Sequence, residues 1–438
     1  MTDWIATSSN GLHGRMTVPG DKSVSHRAIM FGAIAEGITE VHGFLEGEDT
    51  LATASIFRQL GVRIDAPSPS VRIVHGVGLH GLRAPAGPLD CGNAGTAMRL
   101  LAGLLAGQSF DSVLIGDESL SRRPMRRVTA PLRRLGADIE ASVDGCAPLR
   151  IHGRRGLKGD AHELDVASAQ IKSAILLAGL YATGETRVRE PHPTRDYTER
   201  MLQAFGATVT LDDGWITLEP ALSLTSPGRI DVPADFSSAA FFLVAASVVP
   251  GSDIVIASVG INARRTGLLD TLRDMGADIE VIDPRVAGGE AVADLRVRHA
   301  PLWGIVVPSG CVPDMIDEFP ALFAAAALAE GETTVADAAE LRVKESDRIA
   351  VMARGLRVLG IDVDEHHDGA VIRGGRPTGG VVESAGDHRC AMAFAVLAQC
   401  ALDAVRIRDC ANVATSFPDF VSLAGRVGFN VEPTGTEP

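Results

Sequence analysis

The sequence of 438 residues is poor in aromatic side chains and in lysine, and it contains no long hydrophobic run. Aromatic residues make up 4% of the chain, so a folded core must be built mainly from Ala, Val, Leu and Ile. Only four of the 41 Lys and Arg residues are lysine. The longest apolar stretches, near 239–249 and 321–329, are shorter than the roughly 18 residues that a membrane-spanning helix needs. The sequence therefore predicts a soluble protein without a membrane partner.

Cysteine is also scarce, and its six positions do not form pairs at the spacings of a disulfide scaffold or a structural zinc site. The N-terminal segment lacks the basic start and apolar stretch of a signal peptide, so a cytoplasmic location is expected. The net charge of −14 disfavours a general binder of nucleic acid or of anionic membranes, because such partners need a basic surface. An anionic ligand would need a local basic pocket.

Several common functional motifs are missing or incomplete. The sequence contains neither GxSxG nor HExxH, which removes support for a serine hydrolase or a zinc protease. GVGLHG at 76–81 precedes a proline-rich stretch rather than a helix, so it predicts a loop and not a dinucleotide site. In GDKS at 20–23, Asp21 stands where a phosphate loop has Gly, and the segment 362–369 lacks the glycine of a calcium loop. These segments therefore support neither a dinucleotide site, nor a Walker-type phosphate loop, nor a calcium site.

A repeated pattern decides the architecture. An apolar helix end, a glycine and an alternating strand recur six times, with the glycines 68 to 84 residues apart. A second Ala/Leu-rich helix, a turn and a β-rich run precede each copy. The chain is thus expected to be an α/β protein of six modules, grouped as two similar domains of three modules each. The predicted domains are 21–235 and 1–20 plus 236–438, joined by a double-crossing hinge. The six glycines are Gly61, Gly136, Gly206, Gly276, Gly360 and Gly428.

In the first half, cationic and small residues accumulate near predicted helix starts. Lys22, Ser23 and Arg27 can face one anion together with helix N–H groups, although a surface helix capped by Ser23 explains them equally well. Gly95 precedes an apolar helix, where the backbone can approach a ligand closely. Arg123 belongs to a cluster of four arginines, which repel one another unless an anion is bound.

Two further segments of the first half offer polar groups for a ligand. Ser168 and Gln170 precede an apolar helix, where they suit a sugar or polyol but serve equally well as a helix cap. Arg195 lies between Thr194 and Tyr197 in a polar stretch. These segments add hydrogen-bonding groups and one more cation.

The second half adds carboxylates. Asp314 lies ahead of an Ala-rich helix and would by default cap it. Lys344, Glu345 and Arg348 share one turn, which is also typical of an exposed, salt-bridged helix start. Arg389 stands directly before a wholly apolar helix. Cations from both halves and at least two carboxylates together favour a cleft between the domains that binds strongly anionic substrates.

Seven segments, in this order along the chain, resemble the EPSP synthase (3-phosphoshikimate 1-carboxyvinyltransferase) family: GDKSVSHRA, GNAGTAMR, SRRP, SAQIKSA, RVKESDR, GDHRCAMAF and SFPDF. The resemblance implies two domains of three βαβαββ-type units each. It implies transfer of the enolpyruvyl group of phosphoenolpyruvate to the 5-hydroxyl of shikimate 3-phosphate, through a tetrahedral intermediate and with release of phosphate. It implies no cofactor and no nucleic-acid partner, and two self-contained domains predict a monomer.

The resemblance also assigns roles to residues of this sequence. The implied catalytic residues are Asp314, Glu345 and Lys22, the two carboxylates as a proton-transfer pair. The implied shikimate 3-phosphate site consists of Lys22, Ser23, Arg27, Ser168, Gln170, Arg195, Asp314 and Lys344. The implied phosphoenolpyruvate site consists of Lys22, Gly95, Arg123, Gln170, Arg348 and Arg389.

The sequence departs from some relatives at two places. Ala169 stands where a second serine often precedes the glutamine, and no lysine stands before the SFPDF segment. One alternative is the related transferase that acts on UDP-N-acetylglucosamine, but its loop cysteine has no equivalent beside the SRRP segment. The other alternative is a non-catalytic six-repeat scaffold, which would need no carboxylate pair.

Overall fold

The computed structural model describes residues 2–153 and 156–434, and the chain divides into two compact units. The central unit is Gly20–Val232, and the terminal unit combines Met1–Pro19 with Pro233–Pro438. The central unit therefore begins one residue before the expected residue 21 and ends three residues before the expected residue 235. The reason lies at Asp235, whose N–H donates to the Pro19 carbonyl over 2.8 Å and whose side chain caps the following helix. Residues 233–235 are therefore anchored within the terminal unit.

Among the described residues, each unit contains six helices of seven or more residues, and the central unit has one additional short helix. The helices of the central unit are α1 (Lys22–Ile34), α2 (Glu48–Gln59), α3 (Gly95–Ala106), α4 (Glu118–Ser121), α5 (Arg126–Arg134), α6 (Ala169–Gly179) and α7 (Tyr197–Ala204). Those of the terminal unit are α8 (Phe236–Val248), α9 (Gly267–Asp274), α10 (Phe319–Leu328), α11 (Arg348–Val358), α12 (His388–Ala398) and α13 (Phe420–Arg426).

The strands are short and distributed evenly along the chain. The first sixteen are β1 (Trp4–Ala6), β2 (His13–Met16), β3 (Ile38–His42), β4 (Arg63–Ser68), β5 (Val71–His75), β6 (Leu89–Asp90), β7 (Ser112–Ile115), β8 (Asp138–Glu140), β9 (Leu149–His152), β10 (Leu157–Lys158), β11 (Ala161–Glu163), β12 (Ala182–Thr183), β13 (Thr186–Arg189), β14 (Val209–Asp212), β15 (Trp215–Leu218) and β16 (Arg229–Asp231). The others are β17 (Asp253–Gly260), β18 (Asp278–Ala287), β19 (Glu290–Arg298), β20 (Glu332–Val335), β21 (Asp362–His366), β22 (Gly369–Arg373), β23 (Gly380–Glu383), β24 (Val405–Arg408) and β25 (Val431–Pro433).

Six sheets follow one topology, which confirms the predicted α/β fold of six repeats. Their orders are β16-β3-β5-β4, β6-β7-β9-β8, β11-β13-β15-β14, β2-β17-β19-β18, β20-β22-β21 and β23-β24-β1-β25. In each four-stranded sheet the first two strands are parallel, and the later pairs are antiparallel. In the three-stranded sheet, a parallel bridge between Val306 and Thr334 takes the place of the edge strand. The N-terminal strands β1 and β2 complete two sheets of the terminal unit.

The repeat pattern has a local physical cause in its glycines. All six repeat glycines adopt positive φ, from +80° to +98°, which ends the second helix of each repeat and turns the chain into a strand. The first helix of each repeat packs inside, and every residue of α12 is buried. Each unit has its own hydrophobic core. In the described part of the chain, no helix is long and apolar enough to cross a membrane.

Candidate active site

Helix α1 of the central unit begins beside a buried ion pair. Asp21 caps the helix, since its carboxylate accepts the Val24 N–H over 2.8 Å. The alternative in which Ser23 is the cap is therefore wrong. The Nζ of Lys22 forms an ion pair with Oδ2 of Asp49, whose side chain is almost fully buried. The Lys22 ammonium is thus fixed at the start of the helix.

Arg27 lies one turn further along α1 and is buried. Its Nε donates to Thr198 Oγ1 over 2.7 Å, and its two terminal nitrogens donate to the Ser173 hydroxyl and the Ser23 carbonyl over 2.9 and 3.0 Å. Burial, together with the nearby positive charge of Arg195, lowers the pKa of Arg27 to about 10. Two neighbouring guanidinium groups provide the positive potential that a phosphate ester neutralises.

The segment that carries Arg195 is held by a buried lysine. Lys172 Nζ lies 2.8 Å from Glu190 Oε2 and 2.8 Å from Glu199 Oε1, and it donates to the Thr194 carbonyl over 3.3 Å. Burial alone would lower the pKa of Lys172, but the two glutamates outweigh it and raise that pKa. The sequence indicated Lys172 only as one of four lysines in an arginine-rich chain. Its position shows why a compact ammonium fits here, between two carboxylates and a carbonyl.

Ser168 and Gln170 both form contacts within the central unit. Ser168 caps α6, its hydroxyl accepting the Ile171 N–H over 3.4 Å. The Gln170 carbonyl oxygen accepts from Arg99 over 2.7 Å, and its amide donates to Thr96 Oγ1 over 2.9 Å. Gln170 is therefore oriented by two residues of helix α3.

Gly95 is the first residue of α3, and it lies against cationic side chains. A Cβ at this position would be 2.9 Å from a terminal nitrogen of Arg99 and 3.1 Å from one of Arg123. Arg123 is buried and donates to the Asn93 side chain over 2.6 Å. The other three arginines of its cluster are exposed, whereas Arg123 is buried at this helix start. The backbone N–H groups of the helix and two guanidinium groups form an arrangement suited to an anion.

In the terminal unit, Asp314 does not cap the Ala-rich helix, so that alternative is wrong. It lies in a 3-10 turn, Pro313–Met315, whereas α10 begins at Phe319. Its Oδ2 lies 3.7 Å from a terminal nitrogen of Arg264, and its side chain is mostly buried. Asp314 is therefore a carboxylate in a short irregular segment next to a cation.

Arg348 is buried rather than part of an exposed helix start, because its side chain lies among carboxylates. Its Nε donates to Asp387 over 2.8 Å, and its Nη2 donates to Glu345 over 2.6 Å. Its Nη1 is 3.7 Å from Asp317 Oδ1 and makes no hydrogen bond within the described residues. Burial would lower the pKa of Arg348, but the surrounding carboxylates raise it, so this side chain stays charged. One nitrogen of a fixed cation is thus left for a ligand.

Arg389 is the second residue of α12, rather than a residue ahead of that helix. Asp387 caps the helix by accepting the Arg389 N–H over 2.9 Å. Burial would raise the pKa of Asp387, but Arg348 outweighs burial and lowers it. The Arg389 side chain donates to the Asp317 carbonyl over 3.0 Å, and Lys344 lies 3.6 Å from Asp317 Oδ1. Asp317 therefore contacts three cations that the sequence proposed for ligand binding.

The contacts join some of the predicted residues within each unit, Arg27 with Ser23 and Arg348 with Glu345, whereas Asp314 lies beside Arg264. Several residues that position them were missed, because a single charged residue carries no motif of its own. Arg99 and Asp387 lie within the GNAGTAMR and GDHRCAMAF segments, whereas Asp49 lies apart from all seven segments. Within the described residues, no group of three or more His, Cys, Asp or Glu side chains could hold a metal ion. The missed residues are Asp49, Arg99, Glu190, Asp317 and Asp387.

Comparison with known proteins gives one consistent result. The family model for EPSP synthase (3-phosphoshikimate 1-carboxyvinyltransferase) matches residues 6–423. The chain is 63% identical, over 98% of both chains, to the 3-phosphoshikimate 1-carboxyvinyltransferase of Xanthomonas campestris pv. campestris strain B100. A solved EPSP synthase structure from Acinetobacter baumannii is 51% identical, with a TM-score of 0.89 over 99% of this chain and 100% of that one. The enolpyruvyl transferase NikO from Streptomyces tendae, at 18% identity and TM-score 0.81 over 99% of each chain, shares the fold.

Proposed function

The chain belongs to the EPSP synthase (3-phosphoshikimate 1-carboxyvinyltransferase) family, and we propose that the residues described above carry out that reaction. The substrates are phosphoenolpyruvate and shikimate 3-phosphate, and the products are 5-enolpyruvylshikimate 3-phosphate and phosphate. One observation carries the proposal: the family match over residues 6–423 includes every assigned site residue. The alternative acceptor, UDP-N-acetylglucosamine, has no support in the comparisons.

The central unit supplies most of the shikimate 3-phosphate site. Arg27 and Arg195 offer neighbouring guanidinium groups to the 3-phosphate, and Arg27 is held by three hydrogen bonds to neutral partners. The Ser23 hydroxyl makes no hydrogen bond to the described residues, so it is available to the substrate. Ser168 and Gln170 then face the polar groups of the ring. The preformed hydrogen bonds of Arg27 and Gln170 reduce the entropy lost on binding.

Phosphoenolpyruvate is assigned to cations of each unit. Lys22, the α3 start at Gly95, and Arg123 suit its phosphate, because backbone N–H groups and a buried guanidinium favour a multiply charged anion. Arg348 and Arg389 are terminal-unit guanidinium groups with nitrogens left over for hydrogen bonds to a carboxylate or phosphate.

Proton transfer is assigned to two carboxylates of the terminal unit. The 5-hydroxyl gives up its proton as its oxygen adds to C2 of phosphoenolpyruvate, C3 gains a proton, and the tetrahedral intermediate then loses a C3 proton and phosphate. Asp314 lies beside Arg264, and Glu345 accepts a hydrogen bond from Arg348, so the two carboxylates have different electrostatic partners. Different surroundings let two carboxyl groups hold different protonation states, which addition followed by elimination requires. Lys22 serves the reacting centre as a fixed ammonium.

A phosphate-release assay tests the activity. The protein is incubated with phosphoenolpyruvate and either shikimate 3-phosphate or UDP-N-acetylglucosamine. Phosphate release is expected with shikimate 3-phosphate as the acceptor and not with UDP-N-acetylglucosamine. Release only with the sugar nucleotide, or with neither acceptor, would overturn the proposal.

Two isosteric variants test the proton-transfer roles. Glu345→Gln and Asp314→Asn should each lower kcat by about 100-fold or more, the usual contribution of a general acid or base. Calorimetric binding of shikimate 3-phosphate should change less than about threefold, because most of its proposed contacts lie in the central unit. The matched control is Glu383→Gln, an exposed carboxylate paired with Arg408, which should retain kcat. A near-normal kcat in either site variant would remove that residue from the pair.

The protein is further proposed to act as a cytoplasmic monomer that needs no nucleic acid or membrane. Each unit has its own core, so neither requires a second chain for its hydrophobic contacts. Light scattering coupled to gel filtration should give a mass near 45.9 kDa. A dimer mass would contradict this part of the proposal.

A further inference from the structure

Glu318 is a buried carboxylate that none of the proposed steps uses. Its side chain is fully buried just before α10, and its Oε1 accepts the Ser237 hydroxyl proton. The same oxygen lies 3.3 Å from a terminal nitrogen of Arg265 and 3.8 Å from Nη1 of Arg389. Its Oε2 makes no hydrogen bond to any described residue. A buried oxygen without a hydrogen bond is unfavourable, so this carboxylate does not maximise stability.

Arg389 is restrained on one side only. Its Nη1 donates to the Asp317 carbonyl over 3.0 Å and faces Glu318 Oε1. Its Nε and Nη2 make no hydrogen bond within the described residues. A guanidinium binds a carboxylate or phosphate best through two adjacent N–H groups. Because Asp317 and Glu318 lie against Nη1, the edge formed by Nε and Nη2 is left for the ligand.

We propose that Glu318 is a positioning residue, which holds the Arg389 guanidinium so that its Nε and Nη2 edge meets an anionic group of phosphoenolpyruvate. This inference rests on the proposed function of Arg389. A free arginine side chain loses rotamer entropy when it is fixed, and a carboxylate that fixes it beforehand reduces that loss on binding. Arg265 keeps two other carboxylate partners, Asp235 and Asp317, so the fold does not depend on Glu318 alone.

A double-mutant cycle tests the coupling. Glu318→Gln keeps the side-chain length and an acceptor for Ser237, but it removes the charge that faces Arg389. With saturating shikimate 3-phosphate, this change should raise the KM for phosphoenolpyruvate about tenfold and change kcat less than about threefold. In an Arg389→Gln background, the same change should alter that KM less than about twofold, because the group that Glu318 positions is gone. The dissociation constant for shikimate 3-phosphate alone should be unchanged.

Asp294→Asn is the matched control, since Asp294 is also a buried carboxylate of the terminal unit that pairs with two arginines, Arg15 and Arg285. It should leave the KM for phosphoenolpyruvate unchanged. An equal rise of KM in both Arg389 backgrounds, an unchanged KM, or a lower KM in Glu318→Gln would overturn the inference. If Glu318→Gln does not fold, Ser237→Ala replaces it in the test. The KM for phosphoenolpyruvate should then rise two- to fivefold, and an unchanged KM would contradict the inference. Absence of phosphate release by the unmodified protein would instead refute the proposed function.

Discussion

At the scale of single residues, His26 shows how the cationic start of α1 affects its neighbours. His26 lies one helical turn after Lys22 and is completely buried. Its Nδ1 lies 2.8 Å from Thr53 Oγ1, and its Nε2 makes no hydrogen bond to the described residues. Burial lowers the pKa of His26 well below 6.5, and the charges of Lys22 and Arg27 lower it further. The native protein therefore holds this imidazole neutral.

The stability of the protein should consequently fall as the pH drops below 6.5. In that range the unfolded chain binds a proton at His26 that the native state does not bind. The stabilisation that comes from the neutral His26 is therefore complete above pH 6.5, and it is lost as the pH falls toward the lower pKa of the native state. The loss is at most about 1.4 kcal/mol per pH unit. His26→Gln should reduce the pH slope of the free energy of unfolding, measured with urea from about pH 5 to 7. His13→Gln, at an exposed histidine, is the control, and an unchanged slope in His26→Gln would contradict the account.

At the scale of elements, the glycines divide into two physical classes. Gly136 follows α5 with φ +95°, and a Cβ there would meet no atom within 4 Å. Gly103 lies inside α3, and a Cβ there would be 2.0 Å from the Ala174 carbonyl oxygen of α6. The first glycine is needed for its backbone conformation and the second for close helix packing.

Alanine substitution should separate these two classes. Gly136→Ala should lower the free energy of unfolding by about 1–2 kcal/mol, the cost of a left-handed conformation for an L-residue. Gly103→Ala should cost more, since the two helices must move apart to admit the methyl group. Urea unfolding of both variants measures the difference. Equal losses would show that α3 and α6 adjust to the methyl group without strain.

The periodic elements were predictable from sequence, whereas the partners of the site residues were not. Six glycines with alternating strands behind them defined the repeats, because helix termination and strand alternation are local properties. The burial of Arg348 depends on tertiary contacts, whereas the cap of α1 is a local contact between Asp21 and Val24 that the sequence reasoning placed at Ser23. Asp317 illustrates the limit most clearly. It is an ordinary acidic residue in sequence, and only folding places it against Lys344, Arg348 and Arg389.

At the scale of the whole molecule, chain connectivity differs between the two units. The central unit is one continuous segment, whereas the terminal unit needs residues from both ends of the chain. Strand β1 lies between β24 and β25 and pairs with both. Trp4 of β1 is buried and stacks on Phe420 with ring centroids 5.4 Å apart. Without the N-terminal strands, the last sheet would lose the strand that joins its two sides.

Three chains test this difference. The segment 20–232 should fold alone with a cooperative urea transition, while 233–434 alone should not, because β24 and β25 lack their common neighbour. The Thr434 N–H donates to the Asp3 carbonyl over 2.8 Å, so the two ends of the terminal unit already lie together. A permuted chain of 233–434, a short Gly/Ser linker and 2–19 should therefore regain cooperative unfolding. Circular dichroism and hydrogen exchange at β24 would follow the result. Cooperative folding of 233–434 without the added segment would show that β1 is dispensable, and failure of the permuted chain would show that the terminal unit depends on the central one.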